Sequence, residues 1–341
     1  MEANMRSFSE QMNHHQVEWR RCHVTSKESG SWRKRPYPWI LPADLWEEGL
    51  WPGIRTGSDN ALQAYLEQSQ VQKHSDVHNL KSSWILCANL YFPFRTSCRD
   101  RGLLGSFLRH RVAPQVESLN AIELEFSEDG ELHPSRLLGE SGGRRGAGQT
   151  SPDLGLLVNG GHGLVLVESK FTERDFSRCS ARKRKGSAGR PGNPDPERCD
   201  HALAVAQDPC SQCHQAVWGR RYWEHLTPAA NQEVLAALPC CPAARGGYQL
   251  LRQSALAEGI ARSGKYDLTA SAVAVDARNT DLIACLKKSG IPDLSRWASV
   301  FGGRATFAVF THQQWVGWVK EHDREDRWRG WLTWIGDRYG I

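Results

Sequence analysis

Two short apolar runs, Leu154 to Val158 and Leu164 to Val167, flank the string Asn159-Gly160-Gly161-His162-Gly163. Asn and Gly tolerate positive φ, so this string between two apolar runs predicts a β-hairpin. Asp153 stands at the start of the first run, and Glu168 and Lys170 stand at the end of the second. Strand side chains alternate faces, so Glu168 and Lys170 point one way and Ser169 the other. An antiparallel return brings the second run back to the start of the first. Two carboxylates and an amine then meet at one spot.

Pro152-Asp153 followed by Glu168-Ser169-Lys170 resembles the signature of the PD-(D/E)xK nuclease superfamily, and this is the only (D/E)xK triplet in the chain. The chemistry is that of metal-assisted hydrolysis. Paired carboxylates hold Mg²⁺ or Mn²⁺ through oxygen, and the ion polarises a phosphodiester and lowers the pKa of an attacking water. The resemblance implies that Asp153 and Glu168 bind the ion and that Lys170 positions the water or steadies the transition state. The competing reading is a surface hairpin with solvated charges.

Composition sets outer limits. The 341 residues suffice for one large core or two modest ones. The net charge of +5 is a weak nucleic-acid signal, but Arg178 to Arg190 carries six cations and no acid. The N-terminus lacks an apolar h-region, and no run approaches the roughly 18 apolar residues of a membrane span. A cytoplasmic protein without a membrane segment is therefore expected. Ten cysteines in a reducing compartment are then free, buried or metal-bound rather than disulfide-linked.

Along the chain, residues 1 to about 35 are polar and basic and predict a loosely ordered arm. Helices are expected after Pro42, over about Ser58 to Gln70, before Pro93, and around Leu103 to Leu108. The strings LPADLWEEGLWPGIR and SSWILCANLYFPF, and the segment Thr172 to Cys179, resemble one restriction-endonuclease branch of the superfamily. That branch tends to carry Gln where this chain has Trp84. Residues 121 to 126 alternate, with Ile122, Leu124 and Phe126 on one face and Glu123 and Glu125 on the other. The superfamily commonly adds an upstream acid, for which Glu125 is the first choice and Glu123 and Glu117 stand behind it. A Gly- and Arg-rich loop, Gly139 to Gly148, follows, and Arg144-Arg145 could touch phosphate.

The basic run after the hairpin is punctuated by Gly and Pro and reads as a loop. Arg182, Lys183, Arg184 and Lys185 are its candidate phosphate contacts, against the plainer reading of a solvated linker. Cys210 and Cys213 form a C-x-x-C pair, and with Cys179 and Cys199 they would supply the four ligands of a structural Zn²⁺ or an iron–sulfur cluster, with His201 or His214 as substitutes. Free structural cysteines are the alternative. Residues 248 to 262 predict an amphipathic helix with Gln249, Arg252 and Gln253 opposite its apolar face. Superfamily members often place a polar residue there, which makes Gln249 and Arg252 candidates for phosphate or water contact. Strands over Thr269 to Asp276 and Ala305 to Thr311 follow, with helices over Asp281 to Ser289, Asp293 to Phe301 and the Trp-rich end. Those tryptophans are expected to pack rather than stack on bases.

The expected architecture is α/β, a restriction-endonuclease-like mixed sheet flanked by helices. Residues 1–113 would form an N-terminal arm and helical extension. Residues 114–341 would form the nuclease core, with a basic, Cys-containing insertion at about 177–245. The implied activity is Mg²⁺-dependent DNA cleavage of the restriction type, in defence against foreign DNA. Cutting both strands would favour a homodimer. Two other readings stand beside it: a non-catalytic nucleic-acid-binding module of the same fold, and a metal-stabilised scaffold.

Overall fold

The structure, a computed structural model, describes residues 7–186 and 189–341. The first six residues of the expected arm, and Ser187 and Ala188 of the basic run, lie outside the described residues. The centre is a five-stranded mixed sheet: β1 (Leu119–Leu124), β2 (Leu154–Val158), β3 (Gly163–Lys170), β4 (Leu268–Val275) and β5 (Thr306–Thr311), in that spatial order. β2 runs antiparallel to both β1 and β3, whereas β4 runs parallel to β3 and β5 parallel to β4. The expected mixed sheet flanked by helices is therefore present.

The hairpin closes as its residues require. Asn159, Gly160 and Gly161 all sit at positive φ, 56°, 69° and 91°. Asn159 is the one non-glycine among them, and its side chain explains its place. Oδ1 accepts the Glu117 N–H at 2.7 Å and Nδ2 donates to the Gln115 carbonyl at 2.9 Å, tying the turn to the chain that enters β1. The register then pairs Leu154 with Val167, one residue from Asp153 and Glu168.

Both faces of the sheet are covered, which is why its strands read as nearly continuous apolar runs. Val165, Val167, Ala270, Ala272 and Ala274 face one core, with helices α1 (Phe8–His23), α2 (Ser83–Tyr91), α3 (Cys98–Arg111) and, at the chain end, α5 (His312–His322) and α6 (Arg329–Tyr339). Leu164, Leu166, Val273 and Val275 face the other, with helix α4 (Tyr248–Ser263) and the short helical turns between Ser180 and Arg245. Glu168 and Lys170 continue the Leu164-Leu166 face, so they emerge toward α4.

Trp84, Trp297, Trp315 and Trp331 are fully buried. Burying an aromatic of roughly 200 Å² at about 25 cal/mol per Å² is worth about 5 kcal/mol, more than the ~1–3 kcal/mol of stacking on a base. The indole N–H groups of Trp315 and Trp331 donate to the Leu90 and Asn89 carbonyls, both at 2.9 Å. Packing is thus what these rings do.

Two expectations need correction. Residues 8–23 are not a loose arm. Ser7 and Glu10 form a capping box, and Phe8, Met12, Gln16 and Trp19 make a buried stripe at helical spacing. Gln16 Nε2 donates to the Arg338 carbonyl at 3.0 Å, joining α1 to α6. The polar residues between the stripe positions hid it. The second correction concerns β1. Its alternation stops at Leu124, because Glu125 takes a left-handed φ of 50°. Ile122 and Leu124 lie in the first core, but Phe126 lies in the second, across the sheet.

Candidate active site

A cavity of about 300 Å³ opens at the ends of β2 and β3 and is lined by His74, Glu125, Asp153, Glu168, Lys170 and the polar side of α4, among others. The hairpin supplies the centre. The Ser169 N–H donates to Asp153 Oδ2 at 2.7 Å, which fixes the aspartate against the neighbouring strand. Lys170 Nζ donates to Glu168 Oε1 at 2.7 Å, and both side chains are largely buried. β1 delivers the third acid through the turn at Glu125. That residue's N–H still bonds the Asp153 carbonyl at 3.0 Å, so the two backbones meet where the two carboxylates do.

The electrostatics follow from crowding acids away from water. Burial pushes Asp153 well above the usual carboxylate range, and the charges of Glu168 and Glu125 push it further. Burial also raises Glu125, opposed by His74. Burial alone would lower Lys170, but Glu168, Glu173 and Asp153 overcome this and hold the ammonium charged. Glu125 Oε1 is buried without a hydrogen-bond partner, although His74 Nε2 approaches it to 2.8 Å as an ion pair. The site thus gathers carboxylate oxygens around a polar cavity, a donor set suited to a hard cation. Among the described residues, no three His, Cys, Asp or Glu side chains are set to hold a metal ion as they stand.

The other two upstream acids lie apart from this cavity. Glu123 pairs with Arg145 at 3.1 Å, and Glu117 is exposed. Arg145 is consumed by Glu123 and by the Leu124 and Glu125 carbonyls, while Arg144 is exposed and donates to Gln72. The Gly- and Arg-rich loop walls the cavity through Gly146 to Gly148.

On α4, Gln249, Arg252 and Gln253 all line the cavity, so the polar side of this helix faces the site rather than open solvent. Arg252 is committed elsewhere. Its Nε and Nη2 donate to Glu140 Oε1 at 3.2 and 3.1 Å, and Nε also reaches Thr150 Oγ1 at 3.0 Å. Glu140 is buried and accepts the Thr150 N–H at 2.6 Å and the Tyr222 hydroxyl at 2.8 Å as well. This network clamps the insertion and the loop against α4.

Lys183, Arg184 and Lys185 are exposed on the insertion and do not line the cavity; Arg182 pairs with Asp200 at 2.8 Å. The cysteines group differently from the expected set. Cys179, Cys199 and Cys213 line a second, apolar cavity together with Cys241, whereas Cys210 is exposed. Burial pushes Cys199 up to about 11 and Cys213 up to about 12, so neither is an activated nucleophile.

His74 went unread in the sequence, and Trp84 was read only as a departure from the branch the chain resembles. Their rings stack with centroids 5.5 Å apart and back onto Glu125. Trp84 is the position where the chain departs from the branch it resembles, and the departure lies directly behind the third acid. His74 sits in an irregular stretch with no periodicity to flag it.

No helix among the described residues is long and apolar enough to cross a membrane. No curated protein and no solved structure matches the chain. A family model spanning nearly all of it does match, over residues 12–340. The chain belongs to that family, REase-ARP, described as Restriction Endonuclease associating with ARP.

Proposed function

We propose that the chain is a Mg²⁺- or Mn²⁺-dependent nuclease that hydrolyses DNA phosphodiester bonds, as a restriction-type endonuclease acting in the cytoplasm against foreign DNA. The observation that carries this reading is the meeting of Asp153, Glu168, Lys170 and Glu125 at one polar cavity. Membership of a restriction-endonuclease family supports it independently.

Mg²⁺ typically keeps several waters and takes one or two protein carboxylates. Asp153 and Glu168 suit that need, with Glu125 behind them. When bound, the ion polarises the scissile phosphate and lowers the pKa of the attacking water. The remaining work belongs to the chain. The Ser169 N–H holds Asp153 in one orientation. Lys170 stays protonated, so it acts as a fixed positive group that orients water and offsets charge growing on phosphorus, not as a base. Gln249 is placed to contact phosphate or water, while Arg252, tied to Glu140, serves as a wall of the site. Lys183, Arg184 and Lys185 would hold DNA backbone, a contact that weakens with salt. Cleavage of both strands calls for two such sites, hence a homodimer. The association with ARP in the family's description is proposed to extend to this chain.

The test is cleavage of supercoiled plasmid with Mg²⁺, with Mn²⁺ and with EDTA, comparing the native chain with Lys170→Ala. Metal-dependent nicking or linearisation that disappears in the variant supports the reading. Undiminished cutting by Lys170→Ala would overturn the site. No cutting of duplex, single-stranded or modified DNA by folded protein would leave the non-catalytic binding module in its place.

A further inference from the structure

Cys179, Cys199, Cys213 and Cys241 come from four separate stretches of the insertion and converge on one cavity of about 20 Å³. Its other walls are apolar or aromatic, including Val205, Trp223 and Leu251. Four sulfurs are the ligand count of a structural zinc. One donor already faces a sulfur: Gln215 Nε2 donates to Cys179 Sγ at 3.1 Å, and a donor facing sulfur is what a ligating thiolate needs to spread its charge. Two of the four strands of chain are already pinned together, since the Cys241 N–H donates to the Cys199 carbonyl at 2.7 Å.

We propose that these four cysteines form a structural Zn²⁺ site that fastens the insertion, with Cys241 in the place the C-x-x-C spacing suggested for Cys210. Cys210 is exposed and outside the cavity. Size decides the metal. A cavity of about 20 Å³ matches one ion, since a single water already needs roughly 10–15 Å³. A cubic iron–sulfur cluster brings eight atoms and would have to force the walls apart. Closure on the ion requires the thiols to turn inward and to release their protons to solvent.

The site lies outside the proposed nuclease cavity, so its test is independent of cleavage. Full-length protein purified without chelator should contain one zinc per chain by elemental analysis. X-ray absorption at the zinc edge should show four sulfur neighbours at about 2.3 Å. Cys210→Ser should keep the zinc, and Cys241→Ser should lose most of it. Should Cys241→Ser fail to fold, zinc released from the native chain by a thiol-blocking mercurial, read with a colorimetric chelator, still reports the stoichiometry. Metal-free protein with all thiols titratable overturns the proposal. So do an iron–sulfur chromophore, zinc lost in Cys210→Ser, or zinc retained in Cys241→Ser.

Discussion

His74 Nε2 stands 2.8 Å from Glu125 Oε1, and the imidazolium this favours is pushed up to about 9 despite a burial that would lower it. The ring is stacked on Trp84, so it holds the carboxylate at a fixed angle to the cavity. On the proposed mechanism His74 is a positioning residue. His74→Ala should lower metal-dependent cleavage roughly 10- to 100-fold, the range for partners that orient a metal site. The loss should appear in kcat and in the concentration of Mg²⁺ needed, not in DNA affinity. Equal Mg²⁺ dependence in variant and native chain would show that Glu125 needs no such support.

Asp153 carries the most unfavourable charge in the site, through burial first and then through Glu168 and Glu125. Asp153→Asn keeps an acceptor for the Ser169 N–H and removes that charge. Cleavage should fall by at least about 100-fold, beyond what an outer partner contributes. Stability should move the opposite way. A carboxyl whose folded pKa is raised destabilises the folded state at neutral pH, so the variant should melt higher in chelator. A lower melting temperature would mean that the acids are already neutralised by some other group.

Glu140 anchors a buried network through Arg252, Thr150 and Tyr222. Glu140→Ala would leave the Arg252 guanidinium without its ion pair and the buried Thr150 amide without an acceptor. A loss of about 3 kcal/mol is expected, at the lower end for breaking a buried pair. Urea denaturation reads it directly. Glu140→Leu combined with Arg252→Met should recover much of the loss, because an apolar pair of similar size replaces a buried ion pair at little cost.

His312 is expected to make the fold sensitive to acid. It is fully buried at the start of α5, where its Nε2 lies 3.0 Å from the Lys170 carbonyl and its Nδ1 lies 3.1 Å from the Tyr91 hydroxyl. A carbonyl only accepts, so Nε2 carries the proton and Nδ1 accepts from Tyr91. Burial pushes the imidazole down to about 4. The unfolded chain therefore binds more protons between pH 6.5 and about 4. The stabilisation is complete above pH 6.5 and is lost as pH falls through that window. At about 1.4 kcal/mol per pH unit it amounts to roughly 3 kcal/mol. His312→Gln should flatten this part of a stability–pH curve measured by denaturant. An unchanged slope would place the acid sensitivity elsewhere.

The parts legible in the sequence were those set by local chemistry. Asn159-Gly160-Gly161 announced the turn because positive φ has few hosts, and the alternation in β3 placed Glu168 and Lys170 on one face. What escaped depended on contacts between distant stretches. Arg252 reads as a free cation on a helix face until Glu140 comes to meet it. Cys241 sits next to an equally buried Cys240, and nothing in that pair says which thiol turns toward Cys213. Helix α1 was obscured for another reason. Its buried stripe includes a glutamine, whose amide nitrogen donates to a carbonyl of α6.

The left-handed turn at Glu125 has a consequence for stability. A non-glycine side chain in that region of backbone space costs roughly 1–2 kcal/mol, and this one also buries an acid. Glycine or asparagine would sit there at lower strain and without the charge. On the proposed function, this strain and this buried charge are the cost of setting a third acid at the cavity, and a chain of the same fold that did no chemistry there would be more stable without them.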